Sequence, residues 1–341
     1  MHFYYGVWYD ESVIVTTQMQ KYTKRRKGTI MYHIVINPAS RSGKGETLWR
    51  TIAEPYLMEK KIEYISYFSQ KPGEVPRIMA DITKDATTQK PKKIVILGGD
   101  GTFNEALQGI KDFSAVTLGY IPTGSSNDLA RDLKIPKDTL KAVEKAFFSG
   151  KDHKADIGCV TFKDGTHRYF AVSCGMGFDA AVCEETNRSA FKRALNRIGL
   201  GKLAYLTIAL KQLISAKSIS CKVKLDMNPS FTIKKYLFLA GMLHRYEGGG
   251  FMFCPDAKPD DGIIDICSAT TKLPKLLLLI VVLPIAFFGK HYSFPGIEPY
   301  KAKKVHLKCS APVWIHTDGE VLRCDDELTL TCQKQALTIR Y

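Results

Sequence analysis

The features that usually classify a chain quickly are missing from these 341 residues. No two of the nine cysteines form a Cys-x-x-Cys pair, and their number is odd. That argues against a disulfide framework or a zinc ribbon and for reduced thiols in a cytosolic protein. No apolar core followed by small residues stands near the N-terminus, so no secretory signal is read. The longest apolar run, Leu276 to Phe288, is interrupted by Pro284 and is shorter than the roughly 20 residues that cross a bilayer. A buried helix is the default reading of that run; an apolar surface that meets lipid is the alternative. There is no GxxxxGK[ST], which excludes a P-loop, and no zinc-finger, RNA-recognition or basic-zipper signature. The eight histidines are scattered and none is assigned a catalytic role. Acidic residues are also in short supply, 34 against 49 Lys and Arg.

The resulting charge of +15 favours an anionic partner: nucleic acid, nucleotide phosphates or an acidic membrane surface. Composition is otherwise that of a globular chain, with 45% apolar and 24% charged residues, and the length suits two domains. Residues 1–30 are read as an N-terminal extension, with Met31 as an alternative start. The extension ends in a basic run, Lys21 to Lys27, that is either a solvated tail or a contact for anionic lipid or nucleic acid.

From Met31 a unit recurs in form. YHIVIN leads into PASRSGKG and ETLWRTIAEPYL, KKIVIL into GGDG and TFNEALQGI, and AVTLGYI into PTGSSN and DLARDL. Each is a short apolar strand, a loop rich in small residues and a helix start. Phe103, Leu107 and Ile110 fall at i, i+4 and i+7, on one helix face. Such units build a parallel sheet with helices on both faces, and their loops collect beyond the carboxyl ends of the strands. The first domain is therefore expected to be an α/β nucleotide-binding domain over residues 31–155.

Past residue 155, alternating segments (RYFAVSCG, CKVKLDM, FTIKKYLFLAGML, GIIDICSA, KKVHLKC, PVWIHTDGEVL, ELTLTC) predict a mostly antiparallel β domain over residues 156–330. A helix is expected over residues 189–216, with Lys192, Arg193, Arg197, Lys202 and Lys211 on a solvated face. Residues 331–341, ending in ALTIRY, are read as a terminal strand that can pack back on the first domain.

The loop Gly98-Gly99-Asp100-Gly101 is the chemically informative one. It is a poor dinucleotide fingerprint: the third glycine is absent, and about 20 residues on stands Tyr120-Ile121-Pro122, with no acid for a ribose. Its glycines and the following helix start nonetheless suit an anion. Asp100 would repel that anion unaided. A carboxylate there makes sense if a divalent cation bridges it to phosphate, or if it takes a proton from an attacking hydroxyl. The structural alternative is a turn residue capping the helix.

GGDGTFNE at 98–105 resembles the signature of the diacylglycerol kinase catalytic domain, shared by bacterial soluble diacylglycerol kinases and by sphingosine and ceramide kinases. NPASRSGKG at 37–45, IPTGSSNDLAR at 121–131, ADIG at 155–158, CGMGFDA at 174–180, PDAKPDDG at 255–262 and TDGE at 317–320 extend the resemblance over nearly all of the chain from Met31. It implies an NAD-kinase-like α/β nucleotide domain followed by a C-terminal antiparallel β-sandwich, with the active site between them. It also implies ATP and Mg2+ as cofactors and phosphate transfer to a lipid hydroxyl, with diacylglycerol leading.

Matched residue by residue, the resemblance places Asn37, Pro38, Ala39, Ser40 and Arg41, with Lys44, at a first nucleotide loop, and Ser69 at a further ATP contact. Gly98, Gly99, Asp100, Gly101, Thr102, Asn104 and Glu105 form the second loop, and Thr123, Gly124, Ser125 and Asn127 the third. Asp100 and Asp128 are implied to hold Mg2+ through waters, and Lys258, Asp261 and Ile263 a second, structural Mg2+. Glu320 is implied as proton acceptor with Asp318 beside it, Asp100 being the other candidate for that role. Read alone, Asp-Gly at 261–262 and 318–319 would be hairpin turns. The expected partner is a lipid substrate at an anionic membrane, met by a cytoplasmic protein peripherally held at the inner face; no nucleic acid is expected, and a homodimer is left open. A sphingoid lipid, a soluble acceptor phosphorylated in the NAD-kinase manner, and a non-enzymatic binding module remain as alternatives.

Overall fold

The computed structural model describes residues 30–188, 201–216 and 219–341. The basic run at 21–27 and residues Lys192, Arg193 and Arg197 lie outside the described residues, as does the Lys202 side chain. Four parallel strands, β1 (Met31–Ile36), β2 (Glu63–Phe68), β3 (Lys92–Gly98) and β4 (Val116–Pro122), stand in the order β2-β1-β3-β4. Ile34 to Ile36 and Ile94 to Leu97 are fully buried, as continuous apolar runs require when helices cover both faces of a sheet. The covering helices are α1 (Ser40–Leu48), α2 (Glu54–Glu59), α3 (Val75–Thr83), α4 (Asp100–Gln108), α5 (Asp128–Asp132) and α6 (Thr139–Glu144). In α3, Pro76 occupies the first turn, where its missing N–H costs nothing, and Val75, Met79 and Ile82 at i, i+4 and i+7 face the core. Because β1 pairs with both β2 and β3, the strand order reverses beside β1, where ligands of open α/β sheets bind.

The C-terminal half contains β5 (Asp152–Phe162), β6 (His167–Phe170), β7 (Ser173–Gly177), α7 (Phe178–Arg188), α8 (Gly201–Ser215), β8 (Ile219–Leu225), β9 (Phe231–Met242), β10 (Ile264–Thr270), β11 (Ile297–Ala302), β12 (Lys304–Thr317) and β13 (Glu320–Arg340). All their pairings with one another are antiparallel. β12 carries an irregularity between Lys308 and Val313; its early half pairs with β8 and its late half with β7, and both of those strands pair with β9. The sheet thus closes around a core of Phe170, Met176, Val223, Tyr236, Leu307 and Leu330, among others. β13 then runs on until Thr338–Arg340 pairs in parallel with β4, making one sheet of 13 strands from both halves.

Several boundaries differ from those expected. The divisions at 155/156 and 330/331 fall inside β5 and β13, because both strands are shared between the halves. PASRSGKG is a loop only as far as Ala39; α1 begins at Ser40, so Arg41 and Lys44 sit on a helix. RYFAVSCG is two strands, β6 and β7.

Candidate active site

The β1, β3 and β4 loops meet beyond the strand ends and are tied to one another by side chains. Asn37 donates from Nδ2 to Thr102 Oγ1 at 2.9 Å, Ser40 and Thr123 share a hydroxyl hydrogen bond of 2.7 Å, and the Thr123 N–H donates to the Gly98 carbonyl at 2.8 Å. Gly99 and Gly124 touch backbone to backbone: a Cβ on Gly124 would lie 2.7 Å from the Gly99 Cα. These glycines are there for close approach, which lets two phosphate-type loops form one surface.

A cleft of about 320 Å3 opens between the halves, lined by Gly99 to Gly101, Gly124 to Asp128, Val172, Ser173, Glu247 and Asp318 to Glu320. Asp100 is the first residue of α4, yet its carboxylate does not cap that helix. Instead it accepts the Asp128 N–H at 2.9 Å and the Tyr120 hydroxyl at 3.3 Å. Burial, with the Asp128 and Asp318 carboxylates adding to it, pushes the Asp100 carboxyl up to about 7. Asp128 accepts the Gly249 N–H at 2.7 Å through Oδ2, while Oδ1 is buried without a hydrogen-bond partner, with Arg131 Nε 3.5 Å away. Burial raises the Asp128 carboxyl as well. Two crowded carboxylates at the cleft, one with an oxygen that no hydrogen bond satisfies, fit a divalent cation, since oxygen donors and concentrated negative charge are what Mg2+ takes.

Across the cleft, Glu320 reaches from the start of β13 to the first turn of α4, so that a Cβ on Gly101 would collide with its Oε1. Its carboxyl is raised by the surrounding protein and by Glu105 and Asp318, with Arg168 opposing. Asp318 lines the same cleft but is occupied. Oδ1 accepts the N–H groups of Val172 (2.8 Å) and Ser173 (2.9 Å), and Oδ2 accepts Asn104 Nδ2 (2.8 Å) and the Ala171 N–H (3.0 Å). With four donors on two oxygens it anchors the turn. Asp318 sits at φ 50° and Gly319 at φ 82°, which gives the tight reversal that aims Glu320 at the glycine loop.

Not every expected contact faces the cleft. Arg41 and Lys44 are exposed on α1, and the first loop braces the other two without lining the cavity. Ser69 is buried at the end of β2, its hydroxyl donating to the Ile36 carbonyl at 3.4 Å. Glu105 accepts the Gly73 N–H at 3.2 Å, and Asn127, at φ 50°, donates to the Gly124 carbonyl at 2.8 Å. Lys258, Asp261 and Ile263 lie away from the cleft on a turn that Asp156 pins from β5, by accepting the N–H groups of Gly262 and Gln335, each at 2.6 Å. Asp261 accepts the Ile263 N–H at 3.0 Å. Among the described residues no cluster of three or more His, Cys, Asp or Glu forms a ready metal cage, so any cation at either place would draw on carbonyls, phosphate or water as well.

The structure adds residues that no sequence motif marked. Arg168 on β6 donates to Asn104 Oδ1 at 2.7 Å and to Thr317 Oγ1 at 3.2 Å, linking α4 to the Asp318 turn. His316 has Nδ1 3.2 Å from the Gly319 N and Nε2 between Asp179 (3.2 Å) and Glu247 (3.3 Å), and those two carboxylates outweigh its burial and hold its pKa up at about 9. Glu247 also accepts the Ser173 hydroxyl at 2.6 Å.

Known proteins resemble this chain at both levels. Residues 31–160 match the diacylglycerol kinase catalytic domain, and residues 172–340 match the YegS C-terminal NAD kinase beta sandwich-like domain. A diacylglycerol kinase of Staphylococcus carnosus is 29% identical over 292 residues, covering 84% of this chain and 87% of that one. A diacylglycerol kinase of Mycobacterium tuberculosis is 28% identical over 227 residues, 67% of this chain and 70% of its own. The crystal structure of a diacylglycerol kinase from Bacillus anthracis superposes with a TM-score of 0.64 at 18% identity, over 93% of this chain and 98% of the other, and shares the fold. Two matched domains in this order, meeting at a cleft built from the glycine loop and the Asp-Gly-Glu turn, show that the chain belongs to the diacylglycerol kinase catalytic-domain family of lipid kinases.

Proposed function

We propose that the protein transfers the γ-phosphate of ATP, with Mg2+, to the hydroxyl of a lipid, and that diacylglycerol, giving phosphatidate, is the acceptor. The observation that carries the reading is the packing of Glu320 against Gly101. It brings the Glu320 carboxylate to the loop where backbone N–H groups and a helix N-terminus suit phosphate.

The lipid hydroxyl attacks the γ-phosphorus in line, forming a new O–P bond. The bond from phosphorus to the β–γ bridging oxygen breaks, its electron pair leaves with ADP, and the hydroxyl proton passes to Glu320. Asp318 holds the turn that points Glu320 inward, and Arg168 braces α4 from the opposite side. Asp100 and Asp128 would hold Mg2+, which when bound would supply positive charge against the phosphate oxygens. The second cation, at Lys258, Asp261 and Ile263, is proposed as structural.

A lipid acceptor is favoured by a second cavity of about 50 Å3, enclosed by side chains such as Phe178, Leu213, Leu237, Phe253, Leu279 and Val282. Ser173 at the start of β7 lines the cleft, and Phe178 just past its end lines the apolar cavity. Labelled Mg-ATP offered with diacylglycerol, a sphingoid base and water-soluble alcohols tests the reading. Label in phosphatidate, abolished by EDTA, is expected; label only in a soluble product would transfer the protein to the NAD-kinase manner of reaction.

A further inference from the structure

Residues 275–286 are helical in three successive pieces, Lys275–Leu277, Leu278–Val282 and Leu283–Ala286, the middle one wound as a π-helix. The segment is apolar on both sides. Leu278, Leu279, Val282 and Ala286 face inward and line the apolar cavity. Leu276 (59% exposed), Ile280 (60%), Phe287 (44%) and Phe288 (73%) are exposed to solvent. Ile214, 66% exposed at the end of α8, joins them, because Lys275 Nζ donates to the Ile214 and Ala216 carbonyls at 2.9 Å each. A run of large apolar side chains in water marks an interface with a protein or a membrane.

Charge identifies the occupant. No Asp or Glu lies between Asp265 and Glu298, or between Glu185 and Asp226, whereas Lys272, Lys275, Lys290 and Lys211 stand in or beside these stretches. Lys211 pairs with Glu185 and the Lys275 ammonium is held by two backbone carbonyls, which leaves Lys272 and Lys290, both exposed, beside the apolar residues. Apolar side chains flanked by such lysines match an anionic bilayer, where rings enter the acyl boundary and ammonium groups meet headgroups.

We propose that the face formed by Ile214, Leu276, Ile280, Phe287 and Phe288 is the surface by which this protein docks on an anionic membrane. The 275–286 segment then stands between the bilayer and the apolar cavity, so one helix both seats the protein and borders that cavity. This rests on the lipid-kinase reading for its purpose, but binding can be measured without turnover.

The test uses the full chain and vesicles of phosphatidylglycerol and phosphatidylcholine. The native protein is expected to sediment with anionic vesicles, less in high salt and less with phosphatidylcholine alone. The double variant Ile280→Asp with Phe288→Asp is expected to bind roughly a hundredfold more weakly, since two buried apolar side chains are lost, and to phosphorylate a short-chain, water-soluble diacylglycerol within about twofold of native. Phe288→Trp, which keeps an apolar ring, is expected to be quenched by brominated lipids beyond the native background. Undiminished sedimentation of the double variant, absence of added quenching in Phe288→Trp, or a native dimer that the double variant dissociates would each overturn the proposal. Native protein that binds vesicles but transfers no phosphate to any acceptor would sink the kinase reading and leave the docking face standing.

Discussion

In the proposed reaction, Glu320 and Gly101 are the pair on which the chemistry turns. Gly101→Ala puts a methyl group where the Glu320 carboxylate now rests. An early helical position tolerates alanine at least as well as glycine, with a gain of up to about 1 kcal/mol. The expected outcome is therefore a split: an unchanged or raised Tm and a kcat lower by roughly a hundredfold, as suits a displaced proton acceptor. An equal fall in both would mean that Gly101 serves the fold alone. Asp100 gives a pH test in metal-free protein. Its folded pKa, about 7, exceeds the unfolded value of 3.8, so the folded state holds the proton more tightly. The stability this gives is complete below about pH 4 and is lost as pH rises to about 7. Asp100→Asn should accordingly raise Tm at pH 8 and change it little at pH 4, and Mg2+ should shrink the difference at pH 8. Thermal melts at the two pH values, with and without Mg2+, decide this.

At the scale of elements, the Asp318 turn joins the end of β12 to the start of β13 and is also the clasp between the halves. Its carboxylate reaches Asn104 on α4 and three N–H groups of residues 171–173. Hydrogen bonds to a charged group contribute about 1.5–3 kcal/mol each, and not additively. Asp318→Ala should cost about 3 kcal/mol or more, lower Tm by about 5 °C or more, and reduce activity even where the protein is folded. A Tm within 1–2 °C of native would show that the clasp is dispensable. The sequence made the elements around this turn legible where local pattern decides them. KKIVIL, AVTLGYI and YHIVIN fall on β3, β4 and β1 because buried parallel strands are continuous apolar runs. It was less informative where tertiary pairing decides. Nothing local shows that ELTLTC and ALTIRY are one strand, since that depends on β5 and β4 lying beside it. Arg168, Glu247 and His316 were invisible for the same reason: each matters through partners far along the chain.

Over the whole molecule, the two halves share one sheet and one cleft, and the residues proposed to carry phosphate chemistry come from both. Asp100 and Asp128 belong to the first half and Glu320 to the second, so the cleft is complete only when the two halves are packed together. The motif order in the sequence reflected this, because loops at strand ends converge in an α/β sheet whatever lies between them. The roles of Arg41, Lys44 and Ser69 are less well supported, since the start of α1 and the end of β2 turn those side chains elsewhere. The charge of +15 acts at this scale too. Turnover on anionic vesicles is expected to fall as salt rises from about 0.05 to 0.5 M, while turnover of a short-chain soluble acceptor stays nearly constant. Equal salt sensitivity for both acceptors would place the effect in the cleft.

The most direct test of the account is transfer of labelled phosphate from Mg-ATP to diacylglycerol, with native protein and Glu320→Gln side by side and ATP binding measured for each. The account predicts labelled phosphatidate from the native protein, turnover about 100- to 10,000-fold lower in Glu320→Gln, and ATP affinity little changed. A Glu320→Gln protein that transfers phosphate as fast as the native one would contradict it.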